Sequence, residues 1–247
     1  MKRSTIYFGL PTAKKHKKQG PLSPKTRSSN KKQTQESDNE SDNESPFKIP
    51  NLFKEEHEEI YLKQNHLYFH EGIDEKNVDL VKKLMREYLN KYLKAKNSAT
   101  FATFVPKPLY LHIYSPGGDV HAGLALFDFI IEYDKTIPVH TVVEGMAASA
   151  ATIISIAGSK RFITPNSYML IHQLSTYFGG NFEQIKDEFG NCEKIMKQLK
   201  DIYASKTRLN RKQLNEILKR DVNWSATDCL KYGLVDEIKL IDIFNDC

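Results

Sequence analysis

At 247 residues with 40% hydrophobic side chains, the chain can build one large domain or two small ones around a real core. Its formal charge of +5 is unevenly spread: ten of the 36 basic residues, and no acid, lie in residues 1–32, leaving 26 basic against 31 acidic residues beyond them. That balance excludes the basic footprint of a nucleic-acid binder, and three scattered cysteines without a CxxC pair exclude a disulfide framework or a zinc site. The thiols fit a reducing, intracellular compartment, cytoplasmic in the first instance, with nuclear or organellar import left open. The longest apolar or small-residue run, Gly145 to Gly158, is shorter than the ~20 residues that cross a bilayer, so no membrane partner is expected.

Residues 1–55 read as a disordered tail, basic first and acidic after, with five prolines and the tandem Ser37-Asp38-Asn39-Glu40 and Ser41-Asp42-Asn43-Glu44. Such a segment buries too little apolar surface to offset its ordering entropy. Residues 56–247 read as the folded domain. Ile60-Tyr61-Leu62 and Leu67-Tyr68-Phe69 predict short strands, and after Asp74 the recurrence of Val78, Leu80, Val81, Leu84 and Leu89 predicts a helix. A polar connection over 95–108 leads to a strand over 109–114, a helix over 122–133 and a strand from Pro138 to Glu144. A buried helix over 150–157 and strands over 161–164 and 168–171 follow, the last two split by the turn Pro165-Asn166-Ser167.

Asn181, with Gln184 at the capping-box position, opens a long amphipathic helix. Its stripe is Ile185, Phe189, Cys192, Ile195, Met196, Leu199 and Ile202, with Gly190 as an expected interruption at about 1 kcal/mol against alanine. Asn210 caps a second helix to about Lys219. Strands alternating with helices imply an α/β fold.

Three apolar strands end in residues suited to acyl transfer. Gly145-Met146-Ala147-Ala148-Ser149 places a serine among small neighbours, before a helix whose first N–H groups are unpaired. Tyr168-Met169-Leu170-Ile171-His172 places a histidine at a strand end, and Ser115-Pro116-Gly117-Gly118 offers backbone N–H groups without side-chain obstruction. A serine nucleophile requires a base in contact and donors aimed at the oxyanion. Taken singly, Ser149 also reads as a helix N-cap, His172 as a hydrogen-bonded structural residue, and Pro-Gly-Gly as a tight turn. The residue pattern does not choose the orienting acid, and Asp221 in a polar turn reads equally as a solvated carboxylate.

In combination these motifs resemble the proteolytic subunit of the ATP-dependent Clp protease, over roughly residues 58–240. The likeness rests on Tyr110 through Gly118, Gly145 through Ser149, Pro165-Asn166-Ser167 and Ile171-His172-Gln173. It continues through Arg220-Asp221 with Ser225-Ala226, and Tyr232 through Asp236. The resemblance implies a crotonase-like fold of repeated ββα units with a protruding handle helix over 181–205. It implies Ser149 as nucleophile, His172 as base and Asp221 as orienting acid, with the N–H groups of Gly118 and Ala150 as oxyanion donors. It further implies hydrolysis of unfolded polypeptides inside stacked heptameric rings fed by a ring-shaped ATPase unfoldase. The chain itself then needs no cofactor or metal, and ATP is consumed by the partner. Two other readings stand beside this one: a non-catalytic ring subunit, and another crotonase-like enzyme of the signal-peptide-peptidase or CoA-thioester kind.

Overall fold

A computed structural model describes residues 7–8, 59–98 and 107–241. Except for Tyr7–Phe8, the expected tail lies outside the described residues, including both Ser-Asp-Asn-Glu repeats, and so does Cys247. Tyr7–Phe8 forms a two-residue strand, β1.

The domain opens with the hairpin β2 (Ile60–Lys63) and β3 (His66–Phe69), then helix α1 (Glu75–Ser98). Strand β4 (Leu109–Ser115), the short β5 (Gly118–Asp119) and helix α2 (Val120–Asp134) follow. Next come β6 (Val139–Ala148), α3 (Ala150–Ser155), β7 (Lys160–Ile163) and β8 (Tyr168–Leu170). The chain closes with α4 (Phe182–Lys206), α5 (Arg211–Ile217), β9 (Asn223–Ser225), α6 (Ala226–Lys231) and β10 (Glu237–Ile238).

Among the described residues, the main sheet runs β10-β7-β6-β4-β3-β2 and is parallel from β3 to β10. Parallel strands are covered on both faces and read as continuous apolar runs. Accordingly Leu109, Leu111 and Ile113 of β4 and Val139, Val142 and Val143 of β6 are fully buried. On one face, α1 and α2 close the core, joined where the Tyr133 hydroxyl donates to Met85 O at 2.9 Å. The buried imidazole of His112 is satisfied at both nitrogens, by His66 at 2.8 Å and Glu144 at 2.7 Å, as a buried polar group must be.

The feature that positions the site is a change of partner along β6. His140 to Val143 pair with β7, whereas Met146, Ala147 and Ala148 pair with Tyr168, Met169 and Leu170 of β8. β8 in turn pairs antiparallel with β9. This second partner explains why the strand runs four residues past the expected Glu144. The small residues beyond Glu144 are held extended by a ladder to a strand that comes 22 residues later in the chain.

The α/β class matches the structure, and differences of extent remain. α1 continues through residues 95–98, expected as connection, because Leu93-Lys94-Ala95-Lys96 are good helix formers. α4 is continuous through Gly190, where an added Cβ would meet nothing within 4 Å. A tolerated glycine weakens a helix without breaking it. The capping boxes at Asn181–Gln184 and Asn210–Gln213 are both formed. The apolar stripe of α4 divides: Ile195, Leu199 and Tyr203 are buried in the core, while Phe182, Ile185 and Phe189 are exposed. β9, α6 and β10 are too short for periodicity to reveal. Arg161 Nη2 meets Asp236 Oδ1 at 2.5 Å, and the Arg161 backbone N–H also donates to this carboxylate at 2.9 Å. Asp236, part of the last matched motif, therefore serves the closure of β10 onto β7.

Candidate active site

Ser149 is the single residue between β6 and α3, and it is fully buried. Its backbone adopts φ 58° and ψ −123°, a conformation costing a non-glycine residue about 1–3 kcal/mol. Three hydrogen bonds hold that elbow. Ser149 N–H donates to Leu170 O at 2.8 Å, and Ser149 O accepts from Thr152 N–H at 3.0 Å and from the Thr152 hydroxyl at 2.6 Å. Thr152 is in turn 2.5 Å from the hydroxyl of buried Tyr203 on α4. A strained elbow between a strand and a helix turns a serine out of the ladder that carries it.

His172 follows β8 by two residues. Because Ala148 pairs with Leu170 in a parallel ladder, Ser149 and His172 follow the ends of neighbouring strands at the same edge of the sheet. His172 is buried, and burial pushes its pKa below the ordinary histidine value, opposed by Asp221 and a backbone hydrogen bond at Gln173. Asp221 lies in the loop after α5 with its side chain 60% exposed, and its Oδ1 is 3.9 Å from His172 Nδ1. One backbone hydrogen bond, from Gln173 N–H to Leu218 O at 2.9 Å, ties that loop to the His172 segment. The acid reaches the base as a long contact, and such contacts often shorten only when substrate is bound.

Gly118 opens β5 and Ala150 is the first residue of α3. The Ser115–Gly118 loop lies directly over the elbow. At Gly117, with φ +88°, an added Cβ would stand 2.5 Å from Ala148 O, 2.8 Å from Ser149 Cβ and 3.1 Å from Ala150 N. Gly118 is equally closed, with Ile73 O 2.1 Å from its Cβ position. Only glycine brings this backbone so close to the serine. The loop is held from outside by Ile73, whose N–H donates to Gly117 O at 2.9 Å and whose carbonyl accepts from Asp119 N–H at 2.7 Å.

Ser149, Ala150 and the Gly117-Gly118 backbone thus meet at the end of β6, His172 follows the end of the neighbouring strand, and Asp221 lies 3.9 Å from its imidazole. Sequence reasoning did not single out Gly117 as the packing residue, nor Thr152, Tyr203, Leu218 and Ile73 as supports. Only the Gly-Gly pair carried any signal for these. A cleft of about 270 Å3 lies beside His172, lined by Gln173, Leu174, Thr176 and Phe178 and by Ile185, Glu188, Phe189, Cys192 and Met196 of α4.

The family model for Clp protease matches residues 72–241. A proteolytic subunit 2 of the ATP-dependent Clp protease from Treponema denticola is 37% identical over 164 residues, covering 66% of this chain and 76% of the relative. The corresponding subunit from Streptococcus mutans is 40% identical over 137 residues, 53% of this chain and 68% of the relative. Among solved structures, a ClpP1 mutant from Listeria monocytogenes superposes with a TM-score of 0.57 at 25% identity, covering 71% of this chain and 91% of that one.

Proposed function

The chain belongs to the Clp protease family, whose members are serine endopeptidases with a crotonase-like fold, and from that premise we propose how its site divides the work. Ser149 Oγ attacks the peptide carbonyl. His172 takes the hydroxyl proton and returns it to the leaving amine, while Asp221 orients the imidazole and stabilises its charged form. The N–H groups of Gly118 and Ala150 receive the oxyanion. Water then releases the acyl group with the same proton transfers. The observation that carries this reading is the elbow: a buried serine at positive φ, clamped by a neighbouring glycine loop and hydrogen-bonded to Leu170, the last residue of the strand that leads to His172. A fluorophosphonate probe tests it. Mass spectrometry should find one adduct, on Ser149, and its appearance on another serine would refute the assignment.

The base must be neutral to accept a proton. Since burial lowers the His172 pKa, the acid limb of the activity profile should lie below the unperturbed value of about 6.5. At pH 6.5 peptide hydrolysis should keep more than half of its plateau, and a midpoint above 7 would count against His172. Stability shifts the same way. A histidine with a depressed folded pKa favours the folded state above about 6.5, and this contribution is lost as pH falls through the folded value. Circular dichroism at each pH therefore separates protonation of the base from unfolding.

Unfolded polypeptides are the proposed substrates, cut in a chamber of stacked rings that an ATPase partner feeds; ATP binding falls to that partner. Support for assembly comes from α4, whose buried half is anchored in the core while Phe182, Ile185 and Phe189 stay exposed on its other half. A second ring would cover such a face. Light scattering should find a species many times 28.4 kDa, and Ile185→Asp with Phe189→Asp should halve that mass or reduce it further. An unchanged mass would remove α4 from the contact.

A further inference from the structure

Strand β1 lies on the strand that carries a proposed oxyanion donor. Tyr7 pairs with Asp119 and Phe8 with Gly118, antiparallel, and the pair belongs to the same compact unit as the peptidase domain. The opposite edge of β5 is engaged by Ile73, bridged in parallel to Gly118. Tyr7–Phe8 therefore fills the edge on which an incoming peptide could add as a strand. Extended peptides bind exposed sheet edges in this way through their backbone groups.

The polarity matters as much as the place. From Tyr7 to Phe8 the chain runs along β5 from Asp119 to Gly118, towards the loop that packs on Ser149. A substrate held for acyl transfer needs its acyl-side residues on this ladder, with its last carbonyl at the oxyanion donors. The residue opposite Gly118 is Phe8, and opposed residues of an antiparallel pair are those whose backbone groups face one another. We propose that Tyr7–Phe8 is a substrate-like strand of the chain's own, which occupies in cis the Gly118–Asp119 edge and competes there with peptide substrates. This rests on the peptidase reading for the role of that edge, and adds to it an occupant that regulates access.

The test uses the full chain carrying Ser149→Ala, so that nothing is cut, with and without Tyr7→Pro and Phe8→Pro. Proline removes the backbone donors that a ladder uses. The probe is a fluorescein-labelled synthetic peptide with the sequence of residues 1–12, read by fluorescence anisotropy. If the cis strand fills the edge about nine-tenths of the time, the proline variant should bind the probe about tenfold more tightly than its parent. The same peptide with both prolines should bind neither protein. Equal affinity for the first probe in both proteins would overturn the proposal. If the proline variant fails to fold, Tyr7→Gly with Phe8→Gly should shift affinity in the same direction by less, and no shift would again overturn it. Binding requires no turnover, so the outcome is independent of the peptidase assignment: the tenfold difference together with an inactive wild-type chain refutes only the chemistry, and an active wild-type chain without that difference refutes only the cis strand.

Discussion

Ser149→Ala should abolish peptide hydrolysis, lowering kcat by about 10⁶-fold, the scale on which removal of a serine nucleophile acts in such triads. The loss should leave the fold intact. Ser149 is held by its backbone, through Leu170 O and Thr152 N–H, and alanine keeps both bonds. Because nucleophile and base act as a unit, His172→Ala should cost nearly as much, and the double variant little more than either single one. Asp221→Asn should cost less, since its carboxylate is exposed and 3.9 Å from the imidazole. The measurement is single-turnover cleavage of a fluorogenic peptide, with thermal unfolding as the control. Near-wild-type hydrolysis by Ser149→Ala would place the nucleophile elsewhere.

Gly117→Ala should damage both fold and chemistry, although the glycine contributes no side chain to the reaction. Its methyl would stand 2.5 Å from Ala148 O and 2.8 Å from Ser149 Cβ, and these neighbours are backbone or a buried Cβ that cannot swing away. The positive φ adds strain that alanine tolerates poorly. Relief requires the loop to lift from the elbow. Overpacking of this kind costs about 1–3 kcal/mol, a fall of several degrees in Tm. A displacement of about 1 Å at a reacting centre can cost ~10²-fold, so kcat should fall by at least that factor. Gly190→Ala is the matched control: in the open position on α4 it should stabilise by up to about 1 kcal/mol and leave kcat unchanged. Equal behaviour of the two variants would show that the loop does not press on the serine.

Much of the site was legible in the chain because each catalytic candidate sits where a local pattern ends. Ser149 closes a small-residue run, His172 an apolar one, and Gly118 a turn; such endings follow from periodicity and turn chemistry within a dozen residues. Asp221 was different. Its neighbourhood carries no periodic signal, and only the likeness to known peptidases chose it among the acids. The bond from Gln173 to Leu218 that brings its loop to the base spans 45 positions, beyond the reach of any local rule.

By itself the sequence determined the helices and most strands, the capping box at Asn181 and the cap at Asn210, and the motifs of the candidate site. These depend on hydrophobic spacing and on side chains bonding their own backbone a few residues away. Tertiary structure alone decided that β6 changes partner at Met146, that Gly117 presses on Ser149, and that α4 buries its second half while exposing its first. It also decided that Tyr7–Phe8, from a segment without apolar periodicity, lies along Gly118–Asp119. Register between distant strands and contact at van der Waals distance depend on the whole chain folding at once, and a local window of residues does not contain that information.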